Sequence, residues 1–163
     1  MSETYVGQIS PEYTITYQDK KISFERPTFA TEKSYTRFLE GRDRDGVLRH
    51  QRDLPPLVFK EMMNEWRHDV ATGQYHWLSP LSIQSLESLE CVEELLFYLM
   101  QQKEEQRKTI SRELFHNICY SKSHEPLITP EGQKIDHFVI SELRGALNQL
   151  INSPNFIPEN STP

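Results

Sequence analysis

The run Ser85–Gln106, SLESLECVEELLFYLMQQKEEQ, limits the fold more than any other stretch, because it alone is both long and strongly apolar. Leu89, Val92, Leu96, Leu99 and Met100 fall at helical spacing, with Glu87, Glu90, Glu94 and Glu105 mostly between them. The spacing predicts one helix roughly 30 Å long, about the width of a small domain. Leu95, Phe97 and Tyr98 widen its apolar stripe beyond a coiled-coil seam, so contacts on more than one side are expected. The other helices are expected to pack around it.

What the chain must do with that helix follows from its size and charge. At 163 residues, with 36% hydrophobic and 26% charged residues, there is enough chain for one domain with a real core. Ten prolines against six glycines suit irregular connections rather than disorder. A net charge of −6 argues against nucleic acid and anionic membranes as partners, since both demand Lys and Arg. Cys91 and Cys119, each in an apolar helical pattern, read as buried free thiols. The opening MSETYVGQISPE has neither a basic start nor an apolar run, so no signal peptide is expected. No stretch approaches the roughly 20 apolar residues of a membrane span. A cytoplasmic protein is the expectation.

In chain order, residues 1–12 read as a polar arm. YTITYQDKKISFERP reads as a β-hairpin over 13–26: Tyr13, Ile15 and Tyr17 alternate with Thr14 and Thr16, and Gln18–Lys21 supply a polar turn. Thr28 or Thr31 is placed to cap a helix to Glu40, with Gly41 as its stop. Gly41–Leu54 then reads as an exposed charged loop with turn chemistry at Asp45-Gly46. Pro55-Pro56 open a helix to Thr72, ending at Gly73, with Leu57, Phe59, Met62, Met63, Trp66 and Val70 on its buried face. Ser79-Pro80 or Ser82 starts the first turn leading to the central helix. Thr109 is the expected cap of a short helix carrying Ile110, Leu114, Phe115 and Ile118, and Ser121–Lys134 is a loop. Asp136 is the expected cap of the last helix, with Ile135 and Ile140 as a hydrophobic staple. Val139, Leu143, Ala146, Leu147, Leu150 and Ile151 repeat along it, and 154–163 is a polar tail. The predicted fold is mainly α, with an N-terminal β-hairpin followed by a compact bundle of about five helices, as a single α-rich domain over 13–153.

Residue chemistry offers little to catalysis. His116, Cys119 and His124 are zinc-type ligands, but a structural site needs four at recurrent spacing. Asp43, Asp45 and Gly46 resemble part of a calcium loop that would begin at Gly41 and end at Arg52, without the opening carboxylate and final Glu. Neither GxSxG nor a Gly-rich phosphate loop occurs. Glu93-Glu94 and Glu104-Glu105 diverge on a helix and do not converge on one reacting atom. No catalytic residue, cofactor or metal is expected. Arg42, Arg44, Arg49 and Arg52, with Lys20, Lys21 and Arg26, concentrate positive charge that Asp43, Asp45 and Asp53 largely cancel, which reads as a solvated loop, or else as a docking patch for an acidic partner. Tyr5, Tyr13, Tyr17, Tyr75 and Trp77, outside the helical stripes, are candidates for an interaction surface, since tyrosine and tryptophan suit interfaces. A hairpin is marginal alone, so it must pack on helices or pair with another chain, and a homo-oligomer is one possibility.

Two pieces together resemble the small tail assembly chaperones of long-tailed bacteriophages. ITYQDKKISFERPTFATEKSYTRFLE is similar to their opening hairpin with a Pro-Thr step into the first helix. LLFYLMQQKEEQRKTISRELFHNI followed by IDHFVISELRGALNQLI is similar to their apolar helix, a Thr-capped short helix and a Leu-repeating final helix. The resemblance implies a non-enzymatic assembly factor in the host cytoplasm that shields a helical tape-measure-type client until tube protein displaces it. The client groove would lie between the central helix and Ile135–Ile151, or at the hairpin edge. Its lining would come from Leu96, Leu99, Phe115, Leu143 and Leu147, which also fit plain core. The alternative is a small acidic inhibitor or adaptor from a mobile element, capping a basic surface of a host protein.

Overall fold

The computed structural model describes residues 12–123 and 127–152. Residues 1–11 of the expected arm, His124 and the tail at 154–163 lie outside the described residues. The chain is mainly α with an N-terminal antiparallel hairpin, as the sequence leads one to expect. It divides into two compact units, one made of residues up to Pro27 together with Leu99 onward, the other of Thr28–Tyr98.

The hairpin pairs β1 (Tyr13–Tyr17) with β2 (Lys20–Phe24), in register Tyr13 with Phe24 and Tyr17 with Lys20. Its turn is two residues, Gln18 and Asp19, rather than the four that the polar run suggests. Both have positive φ, 46° and 63°, the backbone that matches the twist of paired strands. Ile22 and Phe24 are buried, and the Phe24 ring lies 6.3 Å from that of Phe115.

Within the Thr28–Tyr98 unit, α1 (Phe29–Arg49) begins where the sequence places it, with the Thr28 hydroxyl accepting from the Thr31 N–H. It does not stop at Gly41. It runs through Gly41 and Gly46 for 21 residues, so the expected loop and calcium-type turn over 41–52 are for the most part helix. The reason is tertiary. Thr31, Tyr35 and Leu39 form a buried i, i+4, i+8 stripe, and the turns beyond it are held by side chains from elsewhere in the unit. The Trp66 indole N–H donates to the Glu40 carbonyl at 2.9 Å, and Tyr75 bonds Asp43. A Cβ on either glycine would meet nothing within 4 Å.

Helix α2 (Pro56–Ala71) starts at a proline and ends before Gly73 as expected. Gly73 has φ +73°, a backbone that favours glycine, and a Cβ there would lie 2.8 Å from the exposed His76 ring, which would have to turn aside.

The long apolar run does not make one helix. It is divided among the end of α3 (Pro80–Ser85), α4 (Leu89–Met100) and the start of α5 (Glu104–Thr109). Between α3 and α4 the amides of Leu86, Glu87 and Ser88 each bond the carbonyl three residues back, a tightened turn that resets the helix axis. After Met100 the break is fixed by a side chain. Gln106 is buried; its amide Nε2 donates to the Met100 carbonyl at 2.8 Å and to the Ser23 carbonyl at 3.0 Å, while its Oε1 accepts from the Ser23 N–H at 2.7 Å. These two extra helices raise the expected five to seven among the described residues.

Two caps also differ from expectation. α6 (Arg112–Cys119) is capped by Ser111, whose hydroxyl accepts from Leu114 N–H, and Thr109 instead closes α5. α7 (Val139–Asn152) starts three residues after Asp136. The residues before it form a short second hairpin, β3 (Leu127–Ile128) with β4 (Lys134–Ile135), within the stretch read as loop. Asp136 pairs with Lys122, and Ile135 is 48% exposed rather than stapled. Ile140, Leu143, Ala146, Leu147 and Leu150 are the buried stripe of α7.

Three substitutions check these contacts by chemical denaturation. Gln106→Ala abandons three buried backbone groups and is expected to cost roughly 2–4 kcal/mol. Gly41→Ala and Gly46→Ala should each stabilise by about 0.5–1 kcal/mol, because neither position needs glycine and a helix interior disfavours it. Asp136→Ala should change stability by no more than about 0.5 kcal/mol, where a true cap would cost ~1 kcal/mol.

Candidate functional site

Five of the residues expected to line a client groove are core in this conformation. Leu96, Leu99, Phe115, Leu143 and Leu147 are each no more than 1% exposed and offer no surface to a partner. Tyr13 and Tyr17 are half-buried on β1. The Tyr13 hydroxyl donates to Glu142 Oε1 on α7, and Ser123 donates to the other oxygen of the same carboxylate at 2.8 Å. Tyr13 is therefore engaged within its own unit. The outer edge of β1 carries no strand among the described residues.

Of the zinc-type residues, Cys119 is buried and His116 exposed, with the His116 ring 4.8 Å from that of Tyr120. Among the described residues no group of three or more His, Cys, Asp or Glu side chains is placed to hold a metal ion.

The most structured surface lies in the Thr28–Tyr98 unit, where the sequence singles out Tyr75, Arg42 and Arg49 for contact but predicts a loop rather than a groove between helices. Met62, Glu65, Trp66 and Asp69 form an i, i+3, i+4, i+7 row on α2, and Arg42, Asp43, Gly46, Val47 and Arg49 with the C-cap His50 form the matching wall at the end of α1. Between the rows is a groove of about 660 Å³, also reached by Tyr75 and Glu90. That size falls in the range of ligand-binding clefts.

One end of the groove is a fixed polar network. The Arg42 guanidinium contacts Asp43 at 3.0 Å and donates to the buried Cys91 sulfur at 2.7 Å, and the Tyr75 hydroxyl donates to the other Asp43 oxygen at 3.0 Å. Burial works against the Arg42 charge, but the Cys91 sulfur and the Asp43 carboxylate outweigh it and raise its pKa. Burial raises Tyr75 strongly, and the Asp43 carboxylate adds to the shift, so this phenol stays neutral and donates. Tyr35 is raised for the same first reason, opposed by its 2.7 Å bond to Ser85.

The remainder of the groove is a half-buried Trp66 beside Met62 and Val47, with carboxylates at its rim. No side chain projects from Gly46 to fill it. The sequence signal was available: no proline interrupts residues 28–54, and Tyr35, Leu39, Arg42 and Gly46 continue one helical face. The glycines and the dense charge hid it.

A second exposed area lies in the other unit, where the rings of Tyr120 and Phe138 are 6.2 Å apart and 37% and 54% exposed. Ile128, at 70%, is exposed on β3.

Comparison with known proteins returns no match to a family model, to a characterised protein or to a solved structure.

The raised phenols set an alkaline limit. A tyrosine whose folded pKa is raised stabilises the fold fully below its unfolded value, ~10, and that stability is lost as pH rises through the folded value. Absorbance titration of the protein should therefore show phenols that resist ionisation until the fold is lost. Tyr75→Phe should remove one of them, and Tyr35→Phe another.

Proposed function

We propose that this chain is a non-enzymatic assembly factor that shields an apolar helical segment of a client protein, the role the resemblance to tail assembly chaperones implies toward a tape-measure-type client. One observation supports this above the rest. α2, sixteen residues long, has no buried residue, although its sequence carries Leu57, Val58, Phe59, Met62, Met63, Trp66 and Val70. Leu57 and Val58 are 73% and 40% exposed at its first turn, and Phe59, Met62, Met63, Trp66 and Val70 are half-buried.

An amphipathic helix normally buries its apolar face, and fully burying one such side chain is worth about 1.5–3 kcal/mol. Leaving the whole set partly wet is costly for a monomer and useful for a binder, since a second helix laid along α2 would recover that burial. Methionine at two of the positions gives a surface that repacks around varied side chains. The net charge of −6 keeps such a surface soluble and opposes self-association. Contacts of this kind, repeated along an extended client, hold by avidity yet release one by one to a competing subunit.

Co-expression with a helical tape-measure fragment tests the reading. The chain should raise the fragment's soluble yield and co-purify with it. The double variant Leu57→Asp, Val58→Asp should lose both effects while keeping its helical circular dichroism, because neither side chain is core. Absence of rescue and co-purification by the unaltered chain would end the proposal.

A further inference from the structure

Resting on the reading that α2 receives a client, we infer that the groove between α1 and α2 seats an arginine side chain carried by an apolar stretch of that client, its guanidinium among Glu65, Asp69 and Glu90 and its stem along Trp66. The charge balance of the groove points there. Arg42 and Asp43 neutralise one another inside the polar network, which leaves Glu65, Asp69 and Glu90 against Arg49 and His50. Arg49 stands in the last turn of α1, where a cation is already favoured by the helix dipole. None of the three carboxylates forms an ion pair among the described residues.

Two features make this more than an acidic patch. Glu65 and Asp69 are one turn apart on α2, a like-charge pair that weakens the helix, and they flank the indole of Trp66. The indole edge is tied to the Glu40 carbonyl, which fixes the ring as a wall. Opposite, Gly46 lies near the end of α1 with no steric reason for lacking a side chain, and its omission keeps the groove open. Each choice weakens the isolated unit, and together they shape an aromatic wall with surplus negative charge. Arginine fits best: a planar guanidinium stacks on an aromatic face and presents five donors to several carboxylates at once.

The test uses the whole chain labelled with ¹⁵N, observing the Trp66 indole N–H while N-acetyl-arginine amide or its neutral twin N-acetyl-citrulline amide is added. The arginine probe should shift the signal saturably in the millimolar range, weaken with added salt, and bind about tenfold more tightly than citrulline. Glu65→Gln with Asp69→Asn should remove that preference while the unfolding midpoint holds or rises, as relief of a like-charge pair requires. Gly46→Leu should abolish the shift without loss of helix content. An equal response to both probes, no response to either, or an undiminished response in Gly46→Leu would each overturn the inference. The reading of client shielding fails separately. If arginine binds but no client fragment is rescued, that reading falls and the groove stands. If groove variants lose the probe yet rescue the client fully, the client's arginine is not seated there.

Discussion

The continuation of α1 past Gly41 and Gly46 is the condition on which the Thr28–Tyr98 unit depends. Two glycines in a helix interior together disfavour it by about 2 kcal/mol relative to alanine. What offsets them is contact made by the same turns. Glu40 gives its carbonyl to Trp66, Asp43 its carboxylate to Tyr75, and Arg42 reaches both Asp43 and the buried Cys91 sulfur. Had the helix ended at Glu40, Arg42 and Asp43 would sit in a loop, and α2 would have no second wall to face. The groove is thus a product of α1's length, and α1's length is a product of the polar network at one end of the groove.

The other unit solves a comparable problem with a single amide. A two-stranded hairpin is marginal in water. Here β2 receives, at Ser23, the same pair of hydrogen bonds that a third strand would offer, from the buried Gln106 side chain: one accepted from the Ser23 N–H and one given to the Ser23 carbonyl. The remaining Gln106 proton goes to the Met100 carbonyl, one of the acceptors that the end of α4 leaves open. One residue therefore fixes the hairpin and stops a helix. Glu142 does the matching work for β1, with Tyr13 and Ser123 on its two oxygens. Among the described residues no helix is long and apolar enough to cross a membrane.

Much of this was legible in the sequence where a signal was local. The hairpin alternation at Tyr13, Ile15 and Tyr17, the proline start of α2 and its glycine end depend on neighbours within a few residues and appear as read, and of the two candidate caps Thr28 and Thr31 it is Thr28 that caps α1. What failed to show were features set by distant partners. Gly41 looks like a stop because nothing local says that Trp66 and Tyr75 will hold the turns beyond it. Gln106 looks like a surface residue of a charged run, since its partners are Ser23, 83 positions away, and Met100. Asp136 has the composition of a cap, yet the helix starts later and the aspartate faces Lys122. The buried leucines were found correctly by periodicity, which detects a core stripe and cannot by itself distinguish it from a surface kept for a partner. Leu147 and Leu57 both look apolar and helical; only burial separates them, at 1% and 73% exposed.

That separation bears on what the molecule is built to do. A chain selected for its own stability alone would place alanine or leucine at Gly46, break the Glu65–Asp69 repulsion with a lysine, and cover Trp66. The glycine, the carboxylate pair and the half-buried indole all lie along one groove. Local choices that conflict with stability are expected at functional sites, where the interaction they serve restores what they cost. Elsewhere in the same unit the sequence is economical. Gly73 suits its positive φ, Ser79 caps α3, and Tyr35 is wholly buried with its hydroxyl satisfied by Ser85. The contrast lies within one unit, and even within α1, which carries both Tyr35 and Gly46, so composition alone does not explain it. The proposed seat for an apolar, positively charged segment would account for it.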